Sequence, residues 1–231
     1  MSYCDRLRYK GPVHITVTDA ATGASRDLDL APSKIIGVGT NYRAHAAEMG
    51  KPVPEEPIIF LKPPSALAPS GGTVVRPAGY QQVHFEGELA VVIGARAHRI
   101  EAARALDVVL GLACGNDVTV RDLQKKDGQW TRAKGFDGFF PLGPRIVSGL
   151  DPRDLRLVSR VNGQVRQDSR TSDMIFPVAE LIAFISRVMT LLPGDIITTG
   201  TPQGVGNLDV GDVVEVEIEG IGVLSTSVVA G

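Results

Sequence analysis

The sequence predicts an α+β fold, a mixed β-sandwich roll with a few helices. Short apolar runs with period-2 alternation recur along the chain, and one helix with strong 3.6-residue periodicity stands late in it. Turn residues separate these segments, with 26 Gly and 15 Pro in 231 positions. Many strands, few helices and Gly-rich loops suit a sheet that rolls around its own core.

Val13, Ile15 and Val17 alternate before the turn at 19–23, and Leu28 and Leu30 alternate after it, so residues 1–32 read as a small N-terminal hairpin appendage to a main domain over 33–231. Residues 34–39 start a new apolar strand, followed by a short helix over about 42–49 that Gly50 and Pro52 end. Strands follow at 57–61, 72–76 and 83–93, then a weaker helix over 102–110 and an apolar run over 108–116. The clearest helix begins at Pro177: Val178, Leu181, Ile182, Ile185, Val188 and Met189 recur at i, i+3, i+4, i+7 spacing before Pro193-Gly194 stops it. Late strands come from 196–199, from Val214, Val216 and Ile218, and from 223–229.

A net charge of −2 with mixed signs gives no basic footprint, which argues against a nucleic-acid partner. Cys4 and Cys114 are far apart and form no disulfide framework, as expected of a reduced compartment. The first ten residues lack an apolar signal core and no apolar run approaches the ~20 residues that cross a bilayer, so the expectation is a soluble, cytoplasmic protein without a membrane partner.

The chemistry concentrates on acids set in apolar surroundings. Glu86 and Glu88 lie two apart in Val-His-Phe-Glu86-Gly-Glu88-Leu-Ala-Val-Val-Ile, and the strand period points both to one face. Two adjacent carboxylates without a partner resist ionisation, and an oxygen-preferring divalent ion between them removes the conflict; an exposed strand end with solvated glutamates is the alternative. Asp117, the first charge after the run 108–116, would bring a third carboxylate at a strand end. Three acids without soft ligands suit Mg²⁺, Mn²⁺ or Ca²⁺ and disfavour Zn²⁺. His84 shares that face, but reads as a hydrogen-bonded strand histidine.

His45 and Glu48 share a face if their segment is helical, the spacing of a carboxylate-held imidazole base or of an ordinary surface pair. Gly37, Gly39 and Gly50 flank that segment as they would a mobile lid. On a helix, Asp117, Arg121 and Gln124 fall at i, i+4, i+7, and Arg121 with Lys134 could stabilise an enolate or a carboxylate, unless both are solvated charges. The loop 200–206 lacks the lysine of a phosphate loop and the spacing of a dinucleotide fingerprint.

Together these residues resemble the fumarylacetoacetate hydrolases, specifically short bacterial and mitochondrial members that act on acylpyruvates and oxaloacetate. The resemblance runs from about Lys34 to the C-terminus. It rests on Asn41-Tyr-Arg-Ala-His45-Ala-Ala-Glu48-Met, Phe60-Leu-Lys62-Pro, Glu86-Gly-Glu88, Asn116-Asp117-Val-Thr-Val-Arg121-Asp-Leu-Gln124, Trp130-Thr-Arg-Ala-Lys134, Met174-Ile-Phe and Thr199-Gly-Thr201-Pro-Gln-Gly-Val-Gly, in the family's order.

The resemblance implies the C-terminal-domain roll of that family, Mg²⁺ or Mn²⁺ on Glu86, Glu88 and Asp117, and a water-activating His45–Glu48 dyad on a lid. It further implies Arg121, Gln124 and Lys134 around the substrate's oxygens with Lys62 and Thr201 nearby, a small-molecule 2-oxo acid substrate, and a homodimer. The segment 136–144 looks like the branch of dienedioate isomerases and decarboxylases of aromatic degradation. The leading expectation is therefore a metal-dependent hydrolase of a C–C bond in an acylpyruvate-type 1,3-diketo acid, with enolate stabilisation by the ion and Lys134. Oxaloacetate decarboxylation, isomerisation of a muconate-like diacid and a metal-stabilised binding module stand as rivals.

Overall fold

A computed structural model describes residues 11–231, so Cys4 lies outside the described residues. In chain order the strands are β1 (Val13–Asp19), β2 (Ser25–Leu30), β3 (Ile35–Gly39), β4 (Ile58–Lys62), β5 (Leu67–Pro69), β6 (Thr73–Arg76), β7 (Val83–Phe85), β8 (Gly87–Ile93), β9 (Val109–Asn116), β10 (Thr119–Val120), β11 (Phe140–Ser148), β12 (Arg156–Val161), β13 (Gln164–Arg170), β14 (Ile196–Thr198), β15 (Gly206–Asn207), β16 (Val213–Ile218) and β17 (Gly222–Ala230). The helices are α1 (Arg43–Glu48), α2 (Arg121–Asp127), α3 (Thr131–Lys134) and α4 (Val178–Val188).

A nine-stranded mixed sheet runs β2-β1-β11-β9-β8-β14-β3-β4, with β5 also paired to β11. A five-stranded sheet, β13-β12-β16-β17-β6, and a three-stranded one, β10-β7-β15, complete the roll. The expected α+β architecture of mixed sheets with few helices is what forms. β8 runs through the middle, and all seven of its residues are buried. Leu89, Val91 and Ile93 pack into the core shared with α4 and the five-stranded sheet, while Ala90 and Val92 face a second core with Val13, Ile15 and Phe140. Burial on both faces is why this stretch reads as a continuous apolar run. The N-terminal hairpin forms as β1 and β2, and β1 pairs in parallel with β11, so its apolar face is part of the second core.

Several sequence expectations need correction. The strand 83–93 is interrupted at Glu86, between β7 and β8, which belong to different sheets. Residues 102–110 form a 3-10 segment, Ala102–Val108, and then β9; the buried Ala105 and Val108 lie three apart, the 3-10 repeat. Asp117 precedes α2 and is separated from it by β10, so it shares no helix face with Arg121 and Gln124. Val188 is 60% exposed and Met189 lies beyond the last turn of α4, leaving Val178, Leu181, Ile182 and Ile185 as the buried stripe.

Strands β11, β12 and β13 are absent from the sequence expectation. Pro141 and Pro144 in β11 read as turn residues, and the strand accommodates them with a register shift against β9 between Gly143 and Val147. The signal for the β12–β13 hairpin is Asn162-Gly163, both at positive φ, the dipeptide that a tight hairpin turn favours. Among the described residues no helix is long and apolar enough to cross a membrane.

Ile185 is fully buried under the central sheet. Replacing it by Ala should therefore cost about 2 to 5 kcal/mol, the range for large-to-small core changes. Val188→Ala, at a position 60% exposed, should leave the thermal melt nearly unchanged. Equal melting temperatures for parent and Ile185→Ala would show that α4 is not packed in this way.

Candidate active site

The break at Glu86 is the first feature that shapes the site. Glu86 leaves the β7 ladder, its backbone N–H donates to Asn116 Oδ1 at 3.0 Å, and its carbonyl accepts Asp117 N–H at 2.9 Å. Because Gly87 pairs with Asn116 across β8 and β9, the ends of the two strands bring Glu86, Glu88 and Asp117 together. One oxygen from each lies within 4.8 Å of the others, and all three residues are buried.

Buried like charges must be compensated, and the compensation is uneven. Lys134 Nζ donates to Glu86 Oε2 at 2.7 Å, Asp117 Oδ2 at 2.6 Å and Thr119 Oγ1 at 2.8 Å, so all three of its protons are engaged. Lys62 Nζ holds Asp117 Oδ1 at 2.5 Å and the Phe139 carbonyl at 3.1 Å. Arg121 Nη2 is 2.5 Å from Glu86 Oε1 in an ion pair that lacks hydrogen-bond alignment, while its Nη1 donates to Gln124 Oε1 at 2.8 Å and its Nε to His84 Nδ1 at 3.3 Å. Glu88 has no cation beside it among the described residues; the Thr198 hydroxyl and the Gly200 N–H, the latter at 2.7 Å, both donate to its Oε2.

The titrations follow this arrangement. Burial pushes Glu86 up, but Lys134 and Arg121 outweigh it and hold the carboxyl below the usual range. Burial and the Asp117 and Glu86 charges raise Glu88 well above that range. Burial opposes the charge on Lys134, yet Asp117 and Glu86 keep it more basic than usual, whereas burial lowers Lys62 despite Asp117. His84 is pushed down to about 4 by burial and by Arg121, in keeping with a neutral ring that accepts from Arg121. A divalent cation fits this donor set: it is all oxygen, and Glu88, left with neutral donors on one oxygen only, is the carboxylate that an added positive charge would satisfy.

Across the cavity stands α1. His45 Nδ1 and Glu48 Oε2 are 2.8 Å apart, and His45 is only 5% exposed, buried where an ordinary surface pair would be solvated. Glu48 Oε1 also accepts the Gly204 N–H at 3.0 Å, which ties the helix to the loop after β14. Asn41, just before α1, donates to the carbonyls of Thr199 at 2.8 Å and Phe176 at 3.1 Å and fixes the helix start over β14. Gly200 is required beside it, since φ is +95° and a Cβ there would lie 2.7 Å from the Asn41 Cβ. His45, Glu86, Glu88, Arg121, Gln124 and Thr201 line one space of about 20 Å³, closed further by Met49, Lys51 and Trp130. Lys62 and Lys134 lie behind it, spent on the carboxylates. Sequence reasoning missed Asn41, Thr198 and Gly200 as site-shaping groups, because the partners lie more than 100 residues away.

Fold and site together define a small-molecule enzyme built on a mixed β-roll, with a buried carboxylate triad facing a His–Glu pair. The chain belongs to the fumarylacetoacetate hydrolase family: the model of the fumarylacetoacetate (FAA) hydrolase C-terminal domain matches residues 34–229. It is similar to the crystal structure of 5-carboxymethyl-2-hydroxymuconate delta-isomerase from Mycobacterium smegmatis, at 52% identity and a TM-score of 0.83 over 91% of this chain and 86% of that one. It is also similar to fumarylpyruvate hydrolase from Pseudomonas aeruginosa, solved with Mn²⁺ and pyruvate, at 34% identity and a TM-score of 0.84 over 96% of this chain and 97% of that one. A mitochondrial oxaloacetate tautomerase of Bos taurus is 45% identical over 86% of this chain and 67% of its own length.

A divalent cation, with Mg²⁺ or Mn²⁺ as the probe, should raise the melting temperature, since an ion bound by the folded triad alone would add binding free energy to the native state. Because the raised Glu88 carboxyl must lose its proton to ligate, proton and metal compete, so affinity should strengthen as pH rises through that titration and weaken as it falls. Calorimetric titration at several pH values checks both the sign and its loss in Glu88→Gln. A melt indifferent to either ion would remove the site.

Proposed function

We propose that this enzyme acts on a small 2-oxo acid at a divalent ion, Mg²⁺ or Mn²⁺, held by Glu86, Glu88 and Asp117, and hydrolyses a C–C bond in an acylpyruvate-type 1,3-diketo acid. One observation supports this above others: His45 and two of the carboxylates line the same enclosed space, so a base and an ion would face one substrate. When bound, the ion supplies Lewis-acid polarisation of the 2-oxo acid end. With Nδ1 engaged by Glu48, His45 has Nε2 left to take a proton from water, and Glu48 fixes the ring and its tautomer. Arg121 and Gln124, already joined to each other, present donors to the substrate's oxygens, with Thr201 beside them. Lys134 serves by keeping Glu86 ionised, and with Lys62 it holds Glu86 and Asp117 in place, since their protons are engaged there.

The small cavity holds little more than an ion and a water, so α1 must give way to admit substrate, which supports its reading as a lid. The catalytic unit spans 33–231 and works as a cytoplasmic homodimer. A second reading, double-bond isomerisation or keto–enol tautomerisation of a 2-oxo diacid of aromatic catabolism, is favoured by identity: the isomerase and tautomerase relatives, at 52% and 45%, exceed the hydrolase at 34%. It uses the same acid–base pair without water attack.

Product identification on acetylpyruvate, fumarylpyruvate, oxaloacetate and a hydroxymuconate diacid separates the two readings. For hydrolysis, His45→Ala should lower kcat/KM by about 10² to 10⁴, the usual loss of a general base, on protein that melts normally. Acylpyruvate cleavage that stays within a few-fold of the parent would return His45 to a structural role.

A further inference from the structure

We propose that Gln167 is a positioning residue that locks the metal carboxylates and the His45–Glu48 pair into one geometry, an inference that rests on the metal reading above. Its amide joins two segments otherwise far apart in the chain. Oε1 accepts the Gly87 N–H at 3.1 Å, while Nε2 donates to Thr201 Oγ1 and to the Pro202 carbonyl, each at 2.8 Å. Thr201 Oγ1 in turn donates to the Gly87 carbonyl at 2.9 Å, so Gly87, Gln167 and Thr201 close a ring of hydrogen bonds. That ring holds both polar groups of the one residue between Glu86 and Glu88.

The convergence of the two glutamates depends on this residue because the strand is broken there. Glu86 is outside both β7 and β8, so the regular pleat does not aim its side chain. The fit at Gly87 is closed: a Cβ would lie 2.1 Å from Ser159 Oγ and 2.9 Å from Gln167 Oε1. Gln167 is the only buried residue of β13, turned inward beside the register shift against β12, while Arg166 and Asp168 on either side are exposed.

From Thr201 and Pro202 the chain reaches Gly204, whose N–H holds Glu48, the partner of His45. A change at Gln167 therefore reaches the carboxylates through Gly87 and the lid through Gly204. Groups behind metal ligands typically govern metal affinity by about 10- to 100-fold.

The test compares Gln167→Glu, which keeps an acceptor for Gly87 but has no proton for Thr201 or Pro202, with Ser159→Ala. The latter removes a neighbour of Gly87 that makes no hydrogen bond of its own. In Gln167→Glu the Kd for Mn²⁺ should rise by about 10- to 100-fold, and amide exchange in the metal-free protein should quicken over both 85–89 and 43–50. Ser159→Ala should leave both readouts at parent values. A folded Gln167→Glu that binds Mn²⁺ within about twofold of the parent, with unchanged exchange over 43–50, would overturn the proposal. If Gln167→Glu does not fold, Thr201→Val breaks the same ring and is judged by the same two readouts. Should the parent take up no Mn²⁺, the metal reading fails, and exchange over 43–50 alone decides the coupling.

Discussion

Three carboxylates whose oxygens lie within 4.8 Å of one another, all out of water, set the constraint on which the rest of the site depends. At that separation each pair of ionised groups repels by about 3 to 4 kcal/mol at an effective dielectric of ~20, before desolvation is counted. Stability of a domain is only about 5 to 15 kcal/mol, so the fold tolerates the cluster only with cations built in around it. Lys62 arrives from β4, Arg121 from the start of α2 and Lys134 from the end of α3.

The distribution of those cations is as informative as their number. Glu86 and Asp117 are each paired, and Lys134 bridges them, whereas Glu88 rests on a hydroxyl and a backbone amide. The three basic residues thus fix two acids and leave the third to be balanced from the cavity. This assigns Lys62 and Lys134 a place behind the reacting groups, while Arg121 and Gln124 face the open space.

Around this centre the roll supplies rigidity on one side and a short, separately anchored helix on the other. β8 and β9 sit mid-sheet, with α4 packed over their far face, so the carboxylates stand on and beside the ends of two buried central strands. α1 is only six residues long and is held at its start by Asn41 and at its end by the Glu48 bond to Gly204. The carboxylates thus stand on the large sheet, and the His45–Glu48 pair faces them from a short helix across the cavity.

What the sequence determined by itself was local in period and in chemistry. The 3.6-residue stripe of α4, the two-faced apolar run after Glu88, the His45–Glu48 spacing and the all-oxygen composition of the acid set were legible, because each is written within a few positions of the chain. The sheet order, the break at Glu86 and the β11 to β13 strands were not, since Pro141 and Pro144 read as turns and β13 is polar nearly throughout. Which cation meets which acid, and that Thr198, Gly200 and Gln167 hold Glu88 and Gly87, was decided only by tertiary structure. Those partners lie 80 to 112 residues apart, and a hydrogen bond is set by distance and angle in space, quantities that no spacing along the chain encodes.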